Sequence, residues 1–264
     1  MKLSETGFRA LYEHFCFFPW NPTIAKLVND GSLVEEADGI LTYGYIDRDA
    51  GLTLEVLCCV KRKSNDEFSF FRKFDDTRLI IRSGSIINEE FMILGDKSDD
   101  LAQYFQEELD TLTIYRTDEE IEETRYLTFL DEFRHAFYPD DVIVHLYKEG
   151  FTPEGCWVSI TGVGEGRTYI KGRLLNEPDQ NIGYHEGDEV RFIVYQLDED
   201  KKYLVSKDWS SPNKFKNHIE WYNEVNLKDS INSRNLMLLS GPGFSMNTLM
   251  PEGVASGFYF NNPS

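Results

Sequence analysis

The chain has 264 residues, 46 of them acidic and 27 basic, for a formal net charge of −19. Neutralising phosphates takes clustered Lys and Arg, so this balance argues against a nucleic-acid binder and against docking on an anionic membrane. Hydrophobic residues at 41 % are ample for a packed core, and no apolar run reaches the length of a membrane-spanning helix. The first residues lack a signal-peptide core, so a cytoplasmic location is expected.

In chain order, Phe8, Leu11, Tyr12, Phe15 and Phe18 fall on one helical stripe, which predicts a helix ended by Pro19. Asn21 as cap, Pro22 at the first helical position and Gly31 at the end predict a second, short helix. The runs 40–46 and 52–60, joined by the turn 47–51, predict a hairpin in which Leu52, Leu54, Val56, Cys58 and Val60 share one face. Further strands are expected at Arg78–Arg82 and Phe91–Leu94. Residues 98–138 carry helical stripes, with capping-box spacing at Thr117 and Glu120. From about 142 the period becomes two, at Val142–Leu146, Cys156–Ile160, Ile170–Leu175, Val190–Leu197 and Tyr203–Val205. The tip 198–200 reads as a turn, Phe215–Tyr222 as a helix and Gly241–Ser264 as coil.

The fold class expected is therefore α+β. N-terminal helices pack on an antiparallel sheet in a domain over 1–140, and a strongly bent antiparallel β module, a partial barrel, follows over 141–264.

Chemistry-bearing motifs are sparse. Cys16, Cys58, Cys59 and Cys156 form no Cys-x-x-Cys pair, which suits buried free thiols rather than zinc. Gly162, Gly164 and Gly166 miss the dinucleotide spacing, because position 167 is Arg167, and a strand rather than a helix follows; they read as a hairpin turn. Neither a catalytic constellation nor a metal or cofactor site is expected.

Charge is uneven. Residues 89–149 hold 18 acidic and 5 basic residues, a net of −13, whereas residues 201–264 come to +2. The bland reading is a solvated helix face. The sharper one is an acidic surface for a basic protein, centred on Glu119, Glu120, Glu122 and Glu123, which repel unless something positive sits opposite.

The most distinctive stretch holds Trp157-Val158, Gly172-x-Leu174-x-Asn176-Glu177-Pro178, Gly187-Asp188-x-Val190 and Asp208-Trp209. Over residues 150–210 it resembles the YegJ-like family of bacterial domains of unknown function. The resemblance implies a small β-rich module and no particular activity. From the residues themselves, Asn176 and Asp188 can satisfy turn backbone while Trp157 and Trp209 fill a small core. Alternatively Trp157, Arg173, Asn176, Glu177, His185 and Trp209 line a ligand-binding rim, with Glu177 and His185 as an acid/base pair.

Two functions follow as expectations. The first is a non-catalytic acidic protein-binding protein, in concrete form a bacterial immunity protein neutralising a basic toxin. The second is a small-molecule-binding or hydrolytic domain using the 157–209 rim.

Overall fold

The computed structural model describes residues 1–28, 36–63, 67–72, 78–95, 98–148, 151, 153–196 and 202–206. Trp209, the turn 198–200, the expected helix at 215–222 and the expected coil at 241–264 lie outside the described residues.

The fold is α+β. Strands β1 (Phe15–Pro19), β2 (Gly39–Asp47), β3 (Gly51–Arg62), β4 (Phe68–Arg72), β5 (Ile80–Arg82) and β6 (Met92–Ile93) form one antiparallel sheet in the order β4-β3-β2-β1-β6, with β5 also on β3. Each face of this sheet carries its own core. On one side Leu3 of α1 (Leu3–Thr6), Phe8, Leu11, and Ile24 of α2 (Pro22–Val28) cover Cys16, Phe18, Leu52 and Leu54. On the other, Leu101 of α3 (Ser98–Tyr104) and Phe105 cover Phe15, Phe17, Leu41 and Val60.

Burial on both faces explains the departure at the N-terminus. The expected helix over residues 8–18 is instead a 3-10 turn at Phe8–Ala10 followed by β1. A strand covered on both sides is apolar at every position, so helical spacings occur in it by coincidence. The second helix starts where expected, its expected end at Gly31 lying outside the described residues, and Asn21 Oδ1 accepts a hydrogen bond from the Ile24 amide at 2.9 Å.

The hairpin β2–β3 also forms, but its face changes midway. Leu41 pairs with Cys58 and Thr42 with Val56, leaving Leu57 as an inserted residue. Leu52, Leu54 and Val56 therefore enter one core, while Cys58 and Val60 enter the other. A single inserted residue reverses the side of everything after it. All four cysteines are buried, and none forms a disulfide.

Residues 98–138 fold as short pieces, not long helices: α3, α4 (Gln106–Thr111), a 3-10 turn at Leu112–Tyr115, α5 (Glu119–Arg125) and a second 3-10 turn at Thr128–Phe133. The expected capping box between Thr117 and Glu120 does not form. Asp118 is the residue before α5, and the Glu122 carboxylate accepts from both the amide and the hydroxyl of Thr117.

The second half is a closed barrel of β7 (Asp141–Leu146), β8 (Glu154–Val163), β9 (Ile170–Leu174), β10 (Glu189–Gln196) and β11 (Lys202–Ser206). Its alternation places Val142, Val144, Val158, Ile160, Phe192 and Leu204 inside, where Leu127 and Leu130 join them. Closure is complete where the sequence suggests a partial barrel, and one pair is parallel. Five strands in an up-and-down meander leave the first and last pointing the same way, so β11 meets β7 in parallel. Gly164 and Gly166 lie in the β8–β9 connection, as their spacing suggests, whereas Gly162 is within β8, paired with Lys171.

Candidate functional site

The loop after β9 holds three of the six expected rim residues, Asn176, Glu177 and His185, and its polar groups hold backbone. Asn176 Oδ1 accepts from the Trp157 amide at 2.8 Å. The Glu177 carboxylate accepts from the Glu186 amide at 2.8 Å and lies 2.7 Å from His185 Nδ1. Asp188 accepts from the His185 amide, and Glu154, which sequence reasoning passed over, accepts from the amides of Asp179 and Gln180. Ile182 and the buried Pro178 pin the loop inward.

Glu177 and His185 thus do meet, on an exposed loop. Their pairing holds His185 above its ordinary pKa; the Glu186 amide and His185 together hold Glu177 below its own. Arg173 is exposed on β9 opposite Glu189. Trp157 does not fill the barrel core but sits on its outer surface, edge-on to His135 at 5.3 Å.

The four glutamates near 120 have different surroundings. Glu120 pairs with Lys171 at 2.7 Å and Glu123 with Arg167 at 2.6 Å. Glu122 accepts from the Tyr12 hydroxyl at 2.6 Å and from Arg125 at 2.9 Å. Although burial would raise its pKa, these partners hold Glu122 below the usual carboxylate range. The positive groups needed opposite this cluster are therefore supplied by the chain itself. Glu119 is exposed.

A different acidic surface lies just upstream. Residues 98–119 carry seven carboxylates (Asp99, Asp100, Glu107, Glu108, Asp110, Asp118 and Glu119) against Arg116. None of the seven forms an ion pair with another described residue. Two large apolar side chains stand out on the same segment, Tyr104 at 51 % and Ile114 at 75 % exposure.

This arm borders two clefts that share Tyr115 and Arg116. One, of about 420 Å³, runs between the hairpin turn 47–49 and residues 114–118. The other, of about 450 Å³, is rich in tyrosine: Tyr43 and Tyr45 from β2, Tyr12, Tyr115 and Tyr126, with the carboxylates of Glu13 and Asp110 at its border. Gly44 makes this arrangement possible. A Cβ there would run into the Leu11 carbonyl, so only glycine lets residues 11–14 bridge to β2 at this point. Glu13 turns through a positive φ of 57° here, and its amide donates to the Gly44 carbonyl at 2.8 Å.

Two of the cleft's tyrosines, Tyr45 and Tyr115, also hold an arginine of the chain itself, Arg78, which does not line the cleft. Arg78 lies 5.1 Å from the Tyr115 ring centroid and 5.8 Å from that of Tyr45. It donates to both phenol oxygens at 2.9 Å and to the buried Glu55 carboxylate at 2.8 Å. Burial and the Glu13 carboxylate push the Tyr43 phenol up to about 12, so it stays a neutral donor at physiological pH.

Sequence reasoning missed the cleft because its residues come from three distant segments. The available signal was the pair Tyr43 and Tyr45, two apart on a strand and therefore on one face. Among the described residues no cluster of His, Cys, Asp and Glu has the makings of a metal site, and no helix is long and apolar enough to cross a membrane. Comparison with protein-family models, curated proteins and solved structures finds no match to this chain.

Proposed function

We propose that this chain is a non-catalytic protein-binding protein whose acidic arm, residues 98–119, engages a basic protein partner. The observation that carries the reading is the contrast within one acidic region. Glu120, Glu122 and Glu123 are neutralised by the chain's own cations, whereas the seven carboxylates of 98–119 have no ion pair among the described residues. Seven like charges around exposed Ile114 and Tyr104 supply both long-range attraction and apolar contact area. In its concrete form the reading is a bacterial immunity protein that neutralises a basic toxin, such as a nuclease, by covering a phosphate-binding cleft. The likeness to YegJ-like domains concerns the barrel and its loop, and adds no activity to this reading.

The test is capture from the source-cell lysate with three baits: the wild type, Glu107→Gln/Glu108→Gln/Glu119→Gln, and Ile114→Asp. A basic protein held by the wild type should be lost as salt rises and should be depleted on both variants. Equal retention on all three baits at all salt concentrations would sink the proposal.

A further inference from the structure

We infer that the end of the tyrosine cleft bounded by Tyr43, Tyr126 and Glu13 receives an arginine side chain from the basic partner. The inference rests on the partner-binding reading above and specifies the chemistry of one contact within it.

At Tyr45 and Tyr115 the fold itself shows what two of the cleft's tyrosines do with a guanidinium: both rings lie near Arg78 and both phenol oxygens accept from it, while the Glu55 carboxylate neutralises it. A planar guanidinium suits that combination, because it offers its face to an aromatic ring while its edge donates hydrogen bonds. The end bounded by Tyr43, Tyr126 and Glu13 repeats the composition. Tyr43 and Tyr126 line it, and the exposed Glu13 carboxylate sits at its lip, accepting from the Tyr126 hydroxyl at 3.3 Å. There the carboxylate is exposed, whereas Glu55 is buried at 5 % exposure. An entering cation thus meets an accessible negative group.

Two arginines also border the cleft, and both must be weighed. Arg125 is held bidentately by Asp140 at 2.7 and 3.0 Å and by Glu122, so its charge is cancelled locally. Arg116 opposes the cation, but Glu13, Asp110 and the neighbouring carboxylates of the arm outnumber it. The volume of about 450 Å³ is ample for one long side chain and too small for a folded element. An ammonium would be attracted by the same charge, yet it lacks the flat face that tyrosine pairs select.

Fluorescence anisotropy of the full chain with labelled Gly/Ser peptides carrying either three arginines or three lysines tests this. At low salt the arginine peptide should bind roughly tenfold tighter. That preference should vanish in Tyr43→Leu and fall in Glu13→Gln, an exposed change that leaves the strand intact. Equal affinity for the two peptides, or a preference unmoved by either substitution, would overturn the inference. The arm variant Glu107→Gln/Glu108→Gln/Glu119→Gln separates the two readings, since it should weaken both peptides by one common factor. If it weakens neither, the arm reading fails, while the arginine-to-lysine ratio still decides the cleft.

Discussion

On the loop after β9, His185 and Glu177 move in opposite directions, and the signs define a pH window. His185 is raised above its ordinary 6.5 by its hydrogen bond to Glu177, so its contribution is complete below 6.5 and fades as pH rises through the higher folded value. Glu177 is lowered below 4.5, by the Glu186 amide and then by His185, so its contribution is complete above 4.5 and fades as pH falls through the lower folded value. Between about 4.5 and 6.5 both partners carry their charges and the pair is fully formed. A histidine ring titration followed by NMR should place the His185 midpoint above 6.5 and return it toward that value in Glu177→Gln. A midpoint that ignores Glu177 would dissolve the pair. The turn role of Asp188, which accepts from the His185 amide three residues away, was legible in sequence because turn residues bond to nearby backbone and announce themselves by type. Asn176 instead reaches the Trp157 amide on β8, a partner its own turn does not supply. Tyr12, Tyr43, Tyr115 and Tyr126 were not legible, because only the fold brings them to one cleft.

At the level of elements, α5 is the piece that joins the sheet to the barrel, and it lies against β8 at Gly162. This glycine sits at a bulge with φ 148°, and a Cβ there would come within 2.7 Å of Glu120 Oε2 and 2.9 Å of Glu120 Cβ. Gly162→Ala therefore meets both a backbone that L-residues avoid and a neighbour without room. The expected loss is roughly 1–3 kcal/mol, read as a lower urea midpoint with an unchanged slope. No loss would mean that α5 can back away from β8 at little cost. The barrel strands were legible because each has one face inward and one outward, which writes a period of two into the sequence. The strand β1 was not, since its two buried faces erase that period. The exchange of faces in β3 was equally hidden, because an inserted Leu57 among apolar neighbours looks like continued alternation. Between residues 98 and 138 the helical stripes were visible but their interruptions were not, and short pieces replaced long helices.

Across the whole molecule, one buried arginine ties the two halves together. Arg125, 2 % exposed, grips Asp140 beside the first barrel strand with two hydrogen bonds. Through Nη1 it also reaches the Tyr12 hydroxyl, which lies against the sheet, at 3.2 Å. Arg9 extends the same joint with a bidentate pair to Asp131 at 2.6 and 2.9 Å, and Arg48 donates to Ser159 and to the Ile160 carbonyl. Removing one partner of a buried ion pair leaves the other charge desolvated, a cost of about 3–5 kcal/mol. Arg125→Met should thus destabilise strongly by stranding Asp140, and the further change Asp140→Asn should recover part of the loss by removing the stranded charge. Where the loss falls distinguishes a shared joint from a local one. If Arg125 couples the halves, hydrogen exchange should speed up both at sheet amides such as Leu41 and Leu57 and at barrel amides such as Val158 and Leu174. Faster exchange confined to the barrel would make Arg125 a local anchor for Asp140. The acidic arm and its tyrosine cleft, which rest on β2 and on α5 together, would then keep their shape only as far as the sheet holds them.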